Sequence, residues 1–530
     1  MISAVRYPCE TTIAVAPPSV TPVAHDQGPW ILAATVLGSS MAFIDGTVVN
    51  VALPNLQASL HASLSQVQWV VESYALFLAS LLLVGGVLGD RLGRRYIFIL
   101  GTVVFAVGSV WCGFAPGIGQ LIVARAVEGV GGALLVPGSL AIISASFPLA
   151  ERGRAIGTWS AFTGITAAIG PVLGGWIVQH LSWRWVFFIN TPIAVAVVVI
   201  CYWQVPESRD TNPPHGVDLL GASLNTVGWG ALVYGLIEST NFGWLSPLVW
   251  GSLATSVLAL AAFVWVEAAS KHPLMPLVLF RSLDFAGANL LTLFLYAALG
   301  AVLFFLPFNL IQVQGYTPTE AGAANLPLIL ILFFLSRWAG GLTARYRSRL
   351  PLTAGSLLAA LGFALFARPG IGHSYWTTFF PAMVVLGLGM ACVVAPLTTT
   401  VMNSVDQRQA GTASGINNAV SRVASLLAVA VCGAIMLSVF ASRLLPALSA
   451  TDLLSQDKQA IYQQQNQLAQ IQLPAALNGR QKRQARRAID DSFVAGFRSL
   501  VLLSALLAVI SAVIAWMTLD RGQSRIVDRE

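Results

Sequence analysis

The stretch QVQWVVESYALFLASLLLVGGVLGDRLGRR, from Gln66 to Arg95, decides what kind of protein this is. Its first part, residues 66–88, holds one charged side chain, Glu72. At ~1.5 Å of rise per residue a helix of that length reaches ~34 Å, enough to cross a hydrocarbon core ~30 Å thick. The chain then turns polar and basic, with Asp90, Arg91, Arg94 and Arg95 set among Gly86, Gly89 and Gly93. An apolar run of this length closed by a short arginine-rich loop is the pattern of a membrane-spanning helix anchored at the cytoplasmic surface.

The pattern recurs along the chain. Apolar segments lie near residues 30–54, 66–88, 96–115, 121–146, 155–178, 185–205, 218–238, 247–267, 284–311, 321–343, 351–368, 376–402, 411–441 and 495–518. The 530 residues are 56% hydrophobic and 10% charged, with a mean hydropathy of +0.74. A soluble globular protein carries about a quarter charged residues, so an ordinary cytosolic enzyme is excluded, and the apolar content excludes disorder. Helices satisfy their own backbone in lipid without closing a barrel. The sequence therefore predicts an all-α polytopic membrane protein of 14 spans.

Orientation follows from the short loops. With the N-terminus inside, the inner loops hold Arg91, Arg94, Arg95, Arg152, Arg154, Arg209, Lys271, Arg281, Arg345, Arg347, Arg349 and Arg408, while the outer loops before the last hold only Arg184 and Arg368. Both termini are read as cytoplasmic. The net charge of +7 is thus a topology signal, and no nucleic-acid partner is expected. Residues 445–490 dissent, being glutamine-rich and ending in Arg480, Lys482, Arg483, Arg486 and Arg487 on what the span count makes the outer side. Asp452 to Gln472 reads either as a helical hairpin over the outer mouth or as a solvated loop.

The sequence also echoes itself. The residues from Gly86 to Arg95 reappear in form as Gly340 to Arg349, an offset of 254. Gly131, Ala133, Gly153 and Gly157 reappear as Gly389, Ala391, Gly411 and Gly415, an offset of 258. Two six-helix halves of the same orientation, with two helices inserted between them, account for this. The expected divisions are a cytoplasmic tail 1–29, a first half 30–205, a linker with two extra spans 206–283, a second half 284–518 that includes the extracellular loop 445–490, and a cytoplasmic tail 519–530.

The five cysteines are scattered without metal-site or disulfide spacing. All six histidines lie in the tail or in loops, and no nucleotide-binding GxxxxGK[ST] occurs. Of 22 carboxylates, Asp45, Glu72 and Glu128 lie well inside spans. An ionised acid there costs several kcal/mol unless it faces the bundle interior or a wet cavity. Counted from the outer ends, these three and Arg125 sit within about 8–14 Å of one surface, so one mixed-charge cluster is feasible. Such a cluster suits proton coupling, because burial and a neighbouring arginine pull a carboxyl group in opposite directions. The alternative is a structural ion pair of Arg125 with Glu128 at i,i+3. Tyr74 and Asn50 are candidates to tune the acids. Tyr74, Trp159, Tyr296, Phe304, Phe305, Phe308, Asn417 and Arg422 are candidates to line a substrate cavity.

The inner loop GVLGDRLGRR, residues 86–95, resembles the signature loop of the major facilitator superfamily. FIDGTVVNVALP at 43–54 resembles the first-helix motif of that superfamily's fourteen-span drug:proton antiporter branch. LIVARAVEGVGGA at 121–133 resembles its span-4 motif, with Arg125 at the proton-coupling position, and GITAAIGPVLGG at 164–175 resembles its span-5 antiporter motif. The likeness covers about residues 30–520. Glu128 stands where the span-4 motif commonly has glutamine. Span 13 carries Asn417, Asn418 and Arg422 where some exporters of the branch have acids.

The resemblance implies a major facilitator fold and proton-driven export of amphipathic, often cationic, small molecules, with a role in antibiotic resistance. Asp45, Glu72, Arg125 and Glu128 would couple protons. Gly86, Asp90, Arg91, Gly93, Arg94 and Arg95 would form a conformational latch. Gly164, Gly170, Pro171, Gly174 and Gly175 would let span 5 pack and bend. No cofactor beyond the proton gradient is expected. The partners are the lipid bilayer of the cell membrane, a small-molecule substrate and, where the host has two membranes, a periplasmic adaptor, with the chain itself monomeric. Export of an endogenous lipid or metabolite stays open as an alternative. A non-transporting sensor is more remote, since no sizeable soluble domain is present, and no catalytic dyad or metal cluster suggests an enzyme.

Overall fold

The structure is a computed structural model that describes residues 27–209, 218–270, 273, 275–372, 374–405 and 410–520. The first half comprises α1 (Gly28–Leu60), α2 (Leu64–Leu92), α3 (Arg94–Phe114), α4 (Ile118–Ser146), α5 (Leu149–His180), the short α6 (Trp185–Phe188) and α7 (Asn190–Gln204). Two helices follow, α8 (Leu219–Phe242) and α9 (Pro247–Ala269). The second half contains α10 (Leu283–Phe308), α11 (Pro318–Ala323), α12 (Leu326–Gly340), α13 (Leu342–Tyr346), α14 (Arg349–Leu365), α15 (Phe379–Asn403), α16 (Ala410–Ser449), α17 (Ser455–Gln463) and α18 (Gly479–Thr518).

Each of the fourteen apolar segments falls on one of these helices or on two or three consecutive ones. Among the described residues twelve helices are long and apolar enough to span a membrane. The other two segments depart from an ideal span. In α2 the axis bends by 51° between Leu82 and Val84, just before Gly85 and Gly86, and α14 has only 17 residues.

The halves pack as the internal echo suggests. In the first half α3 and α4 approach so closely that a Cβ on Gly101 or Gly131 would meet the facing helix, and Gly108 lies against the Glu128 backbone. In the second half α14 and α15 repeat this with Gly355, Gly389 and Gly362, the last against the Leu386 backbone. Of the glycines in the echo, Gly131 and Gly389 are therefore small residues that let two helices of each half touch, whereas a Cβ on Gly86, Gly157 or Gly340 would meet no close neighbour. The inserted pair α8–α9 leans on α2 and α16, one helix from each half.

One end of the bundle carries the Asp90 loop and is called the basic end. The other is covered by residues 450–478 and is called the capped end. There α17 and a 3-10 turn, Gln465–Gln470, reverse at Leu468 (φ 53°), so the glutamine-rich stretch is a folded cap. It binds both halves. The Gln57 amide of α1 donates to the Gln467 carbonyl at 3.4 Å, and Gln312, just beyond α10, donates to Gln57 Oε1 at 3.0 Å. Arg486 of α18 donates to the carbonyls of Ala469 and Gln312. At the basic end, among the described residues, the corresponding hydrogen bonds run within each half. In the second, the Asp520 carboxylate accepts from Arg349 N and Asp520 N donates to Asp284, tying α18 to α14 and α10.

Helices α16 and α18 each run for 40 residues, well past their expected ends at 441 and 495. The polar start of α18 stays helical because Ala485, Ala488 and Ile489 bury one face while its arginines keep the other wet. Asp490 stands 28 residues before Thr518, ~42 Å along the helix and so beyond a ~30 Å hydrocarbon core. Burial pushes its carboxyl up from 3.8 to about 6 against the pull of Arg486 at 3.1 Å. A raised folded value means that Asp490 stabilises the closed cap fully below its open-state value, a contribution lost as pH rises through the folded one. Hydrogen-exchange protection of Gln465–Gln470 should therefore fall between pH about 4 and about 6. Asp490→Asn should abolish that fall, and an unchanged profile in the variant would refute the assignment.

Candidate transport site

Among the described residues, the densest charge in the bundle interior is built on α1 and α4. Arg125 and Glu128 sit one turn apart on α4, and Asp45 faces them from α1, all three at most 1% exposed. One guanidinium nitrogen, Nη1 of Arg125, donates to Asp45 Oδ2 at 2.6 Å and to Glu128 Oε2 at 2.7 Å. Its Nε donates to the Val70 carbonyl at 3.1 Å, and the Tyr74 ring lies 4.2 Å below the guanidinium carbon. Small residues make this possible. Gly129 of α4 rests against the Tyr74 carbonyl and Gly108 of α3 against Glu128, so no side chain holds α4 away from its neighbours.

Two carboxylates thus share one cation in a dry site. Asp45 Oδ1 and Glu128 Oε1 are buried without a partner among the described residues. With both acids ionised the group carries a surplus negative charge, and a proton on either one would remove it while the guanidinium keeps a partner. Residues that the sequence reading missed complete the surroundings: Cys112 Sγ lies 3.6 Å from Glu128, and Ser109 takes a hydrogen bond from Asn190 at 2.9 Å. Ser109 and Cys112 share a face of α3 at i,i+3, the one signal that could have found them.

Glu72 is not in this cluster. Its neighbours on the same face of α2, Gln68 and Leu76, point to α16 and α8, away from α4. The shared depth was legible, but depth along a helix says nothing about the direction around it.

The expected cavity residues also divide. Phe304, Phe305 and Phe308 are at most 2% exposed and pack ring against ring in the core. Tyr74 lies beneath Arg125, and Trp159 braces α5 to α1 by donating to Ser39 at 3.0 Å. Asn417 of α16 donates to Asn289 and Thr292 of α10. Tyr296 is half-buried, its carbonyl facing Ser425 across the α10–α16 contact. Arg422 is half-buried on α16 without an ion pair among the described residues, in electrostatic reach of Tyr74. Gly46 and Asn418, mid-helix on α1 and α16, are both exposed.

In the loop 86–95 Asp90 Oδ1 accepts from Arg94 at 2.8–2.9 Å, a contact one helical turn apart within the first half. Gly93 has φ +125°, a conformation that needs glycine, and a Cβ there would overlap the Glu207 carboxylate. Glu207, absent from the sequence reading, accepts from the backbone N–H groups of Arg95 and Tyr96 at the start of α3. Arg95 in turn donates to the Val205 carbonyl, and Arg91 is exposed. Along α5, Gly170 and Gly174 pack on Thr47 and Val48 of α1, and Gly175 on the Pro318 backbone of α11. Gly322 answers from α11 against the Pro171 backbone. A Cβ on Gly164 would meet nothing within 4 Å among the described residues, so close packing does not explain it.

Two like-oriented helical halves, joined by an inserted pair and carrying buried charge between spans, define a polytopic membrane transporter of the cell membrane. The chain belongs to the Major Facilitator Superfamily, whose family model matches residues 35–429. It is 33% identical over 514 residues to the tetracenomycin C resistance and export protein of Streptomyces glaucescens, covering 94% of this chain and 93% of that protein. It is 37% identical over 420 residues to the multidrug resistance protein Stp of Mycobacterium tuberculosis, covering 79% and 77%. Among solved structures, a bacterial homolog of the human lysosomal transporter Spinster, in an inward-facing and occupied conformation, aligns with a TM-score of 0.66 at 17% identity. That alignment covers 93% of this chain and 97% of that one.

Proposed function

We propose that this protein is a proton-coupled exporter of amphipathic, often cationic, small molecules, with its basic end in the cytoplasm. The observation that carries the reading is the buried trio in which Asp45 and Glu128 share the single guanidinium of Arg125. A group that balances its charge by taking one proton can exchange that proton for a cation as the halves rock about the centre. The resistance and export proteins it resembles support drugs as the substrate class. The arginine-rich loops of the basic end support the orientation. The proton gradient is then the sole energy source, and the chain acts as a monomer in the bilayer. Inside-out vesicles should accumulate a fluorescent lipophilic cation when their lumen is acid and lose it when the gradient is collapsed. Uptake indifferent to the gradient would overturn the coupling.

The latch gives a separable prediction. Asp90 meets Arg94 at the basic end, far along α2 from the charged trio. Asp90→Asn should slow transport several-fold while substrate Kd, read by fluorescence, stays within error. A weakened Kd with unchanged rate would make Asp90 a binding residue instead.

A further inference from the structure

A cavity of about 650 Å³ lies away from the charged trio, enclosed by α2, α8, α9, α10 and α16. Its walls are apolar apart from Ser80, Asn225 and Asn289. Met275 and Phe280, which precede α10, line its floor, so the cavity reaches the basic end, and Asn225 and Asn289, each the seventh residue of a helix that starts there, stand ~10 Å above it. Val264 and Leu290 on its rim are 47% and 43% exposed, so its mouth opens on the lipid-facing surface.

The far end is closed by Leu76, Val233, Ile237, Leu426 and Ala430. One turn beyond Leu76, on the same face of α2, stands Glu72. It is 1% exposed, and neither carboxyl oxygen has a partner among the described residues. Ser80, one turn to the other side of Leu76, lines the cavity with its hydroxyl also unpartnered and 6% of the residue exposed. The face Gln68–Glu72–Leu76–Ser80 therefore runs from an α2–α16 hydrogen bond, past an unused buried acid, into an open apolar space.

We propose that this cavity is a binding site for a drug-sized lipophilic monocation that enters from the bilayer, with the Glu72 carboxylate as its counter-ion. The volume falls in the range of small-molecule sites, about 300–1,000 Å³, and the lining matches their apolar walls with few polar groups. A single carboxylate neutralises one positive charge, whereas a dication would leave a charge unmatched in a dry pocket and an anion would be repelled. The Leu76 and Leu426 side chains separate the acid from the cavity, and their rotation lets the cationic head reach it while the apolar body fills the space below. The site would load the export proposed above from the membrane, and occupancy itself needs no gradient, so the two can fail separately.

The test uses the full chain in lipid nanodiscs without a pH gradient. The probes are a benzophenone-tagged triphenylphosphonium and the uncharged phosphine oxide of the same shape. Cross-links should map to α8 and α9 around Trp229 and Phe263. Glu72→Gln removes a buried acid while keeping its shape and should weaken the phosphonium by more than about tenfold, leaving the phosphine oxide unchanged. Ser80→Leu, which fills the cavity and spares the acid, should weaken both probes. The proposal is overturned by unchanged phosphonium affinity in Glu72→Gln, by equal loss of both probes in that variant, or by cross-links confined to α1 and α5. It is overturned equally by a co-purified phospholipid that neither probe displaces. Gradient-independent vesicle uptake with these binding results intact would overturn proton coupling and leave the site standing.

Discussion

Asp45→Asn is expected to reduce substrate-driven proton release in proteoliposomes to the level of protein-free liposomes, while the protein still inserts and folds. Asp45 and Glu128 share Arg125 Nη1 at 2.6 and 2.7 Å. Removing the charge of Asp45 leaves a balanced one-to-one pair, Arg125 with Glu128, which the buried site accepts at little cost. The surplus negative charge that invites a proton is gone. Substrate should still bind, so a quenching titration serves as the control. Normal proton release from Asp45→Asn would remove the trio from the coupling mechanism.

Arg125→Gln should do the greater damage. It leaves two acids facing each other in a site where all three residues are at most 1% exposed. It also removes the donor to the Val70 carbonyl and the cation above Tyr74. Breaking a buried ion pair on one side typically costs about 3–5 kcal/mol, so the yield of monodisperse protein and the Tm should both drop. The neutral triple variant Asp45→Asn/Arg125→Gln/Glu128→Gln should recover much of the Tm and none of the proton exchange. That split separates stability from coupling. A stable Arg125→Gln protein would show that the acids do not depend on it.

Much of this was legible because lipid imposes few choices on a chain. The fourteen apolar segments, the glycine echo and the depth of Asp45, Arg125 and Glu128 follow from length, periodicity and charge. What was not legible is direction around a helix axis. Glu72 lies at the right depth, yet its face of α2 turns to α8 and α16. Phe305 sits at helical spacing from Phe308, but only packing decides that it belongs to the core. Glu207 caps α3 from more than 100 residues away in sequence, a contact no local pattern announces. The cap was ambiguous because glutamine-rich polar chain folds only against a surface, here supplied by Gln57, Gln312 and Arg486.

The length of α16 and α18 has a mechanical consequence. Each is a rod of 40 residues, ~60 Å end to end, gripped by the bundle over roughly half that distance. A tilt of about 10° at the membrane midplane swings each outlying end by roughly 5 Å. The cap rides on those ends, so it works as the pointer of a gauge. Paired dyes, one on the cap and one on the α1–α2 turn, would read each rocking of the halves from outside the membrane in a working protein.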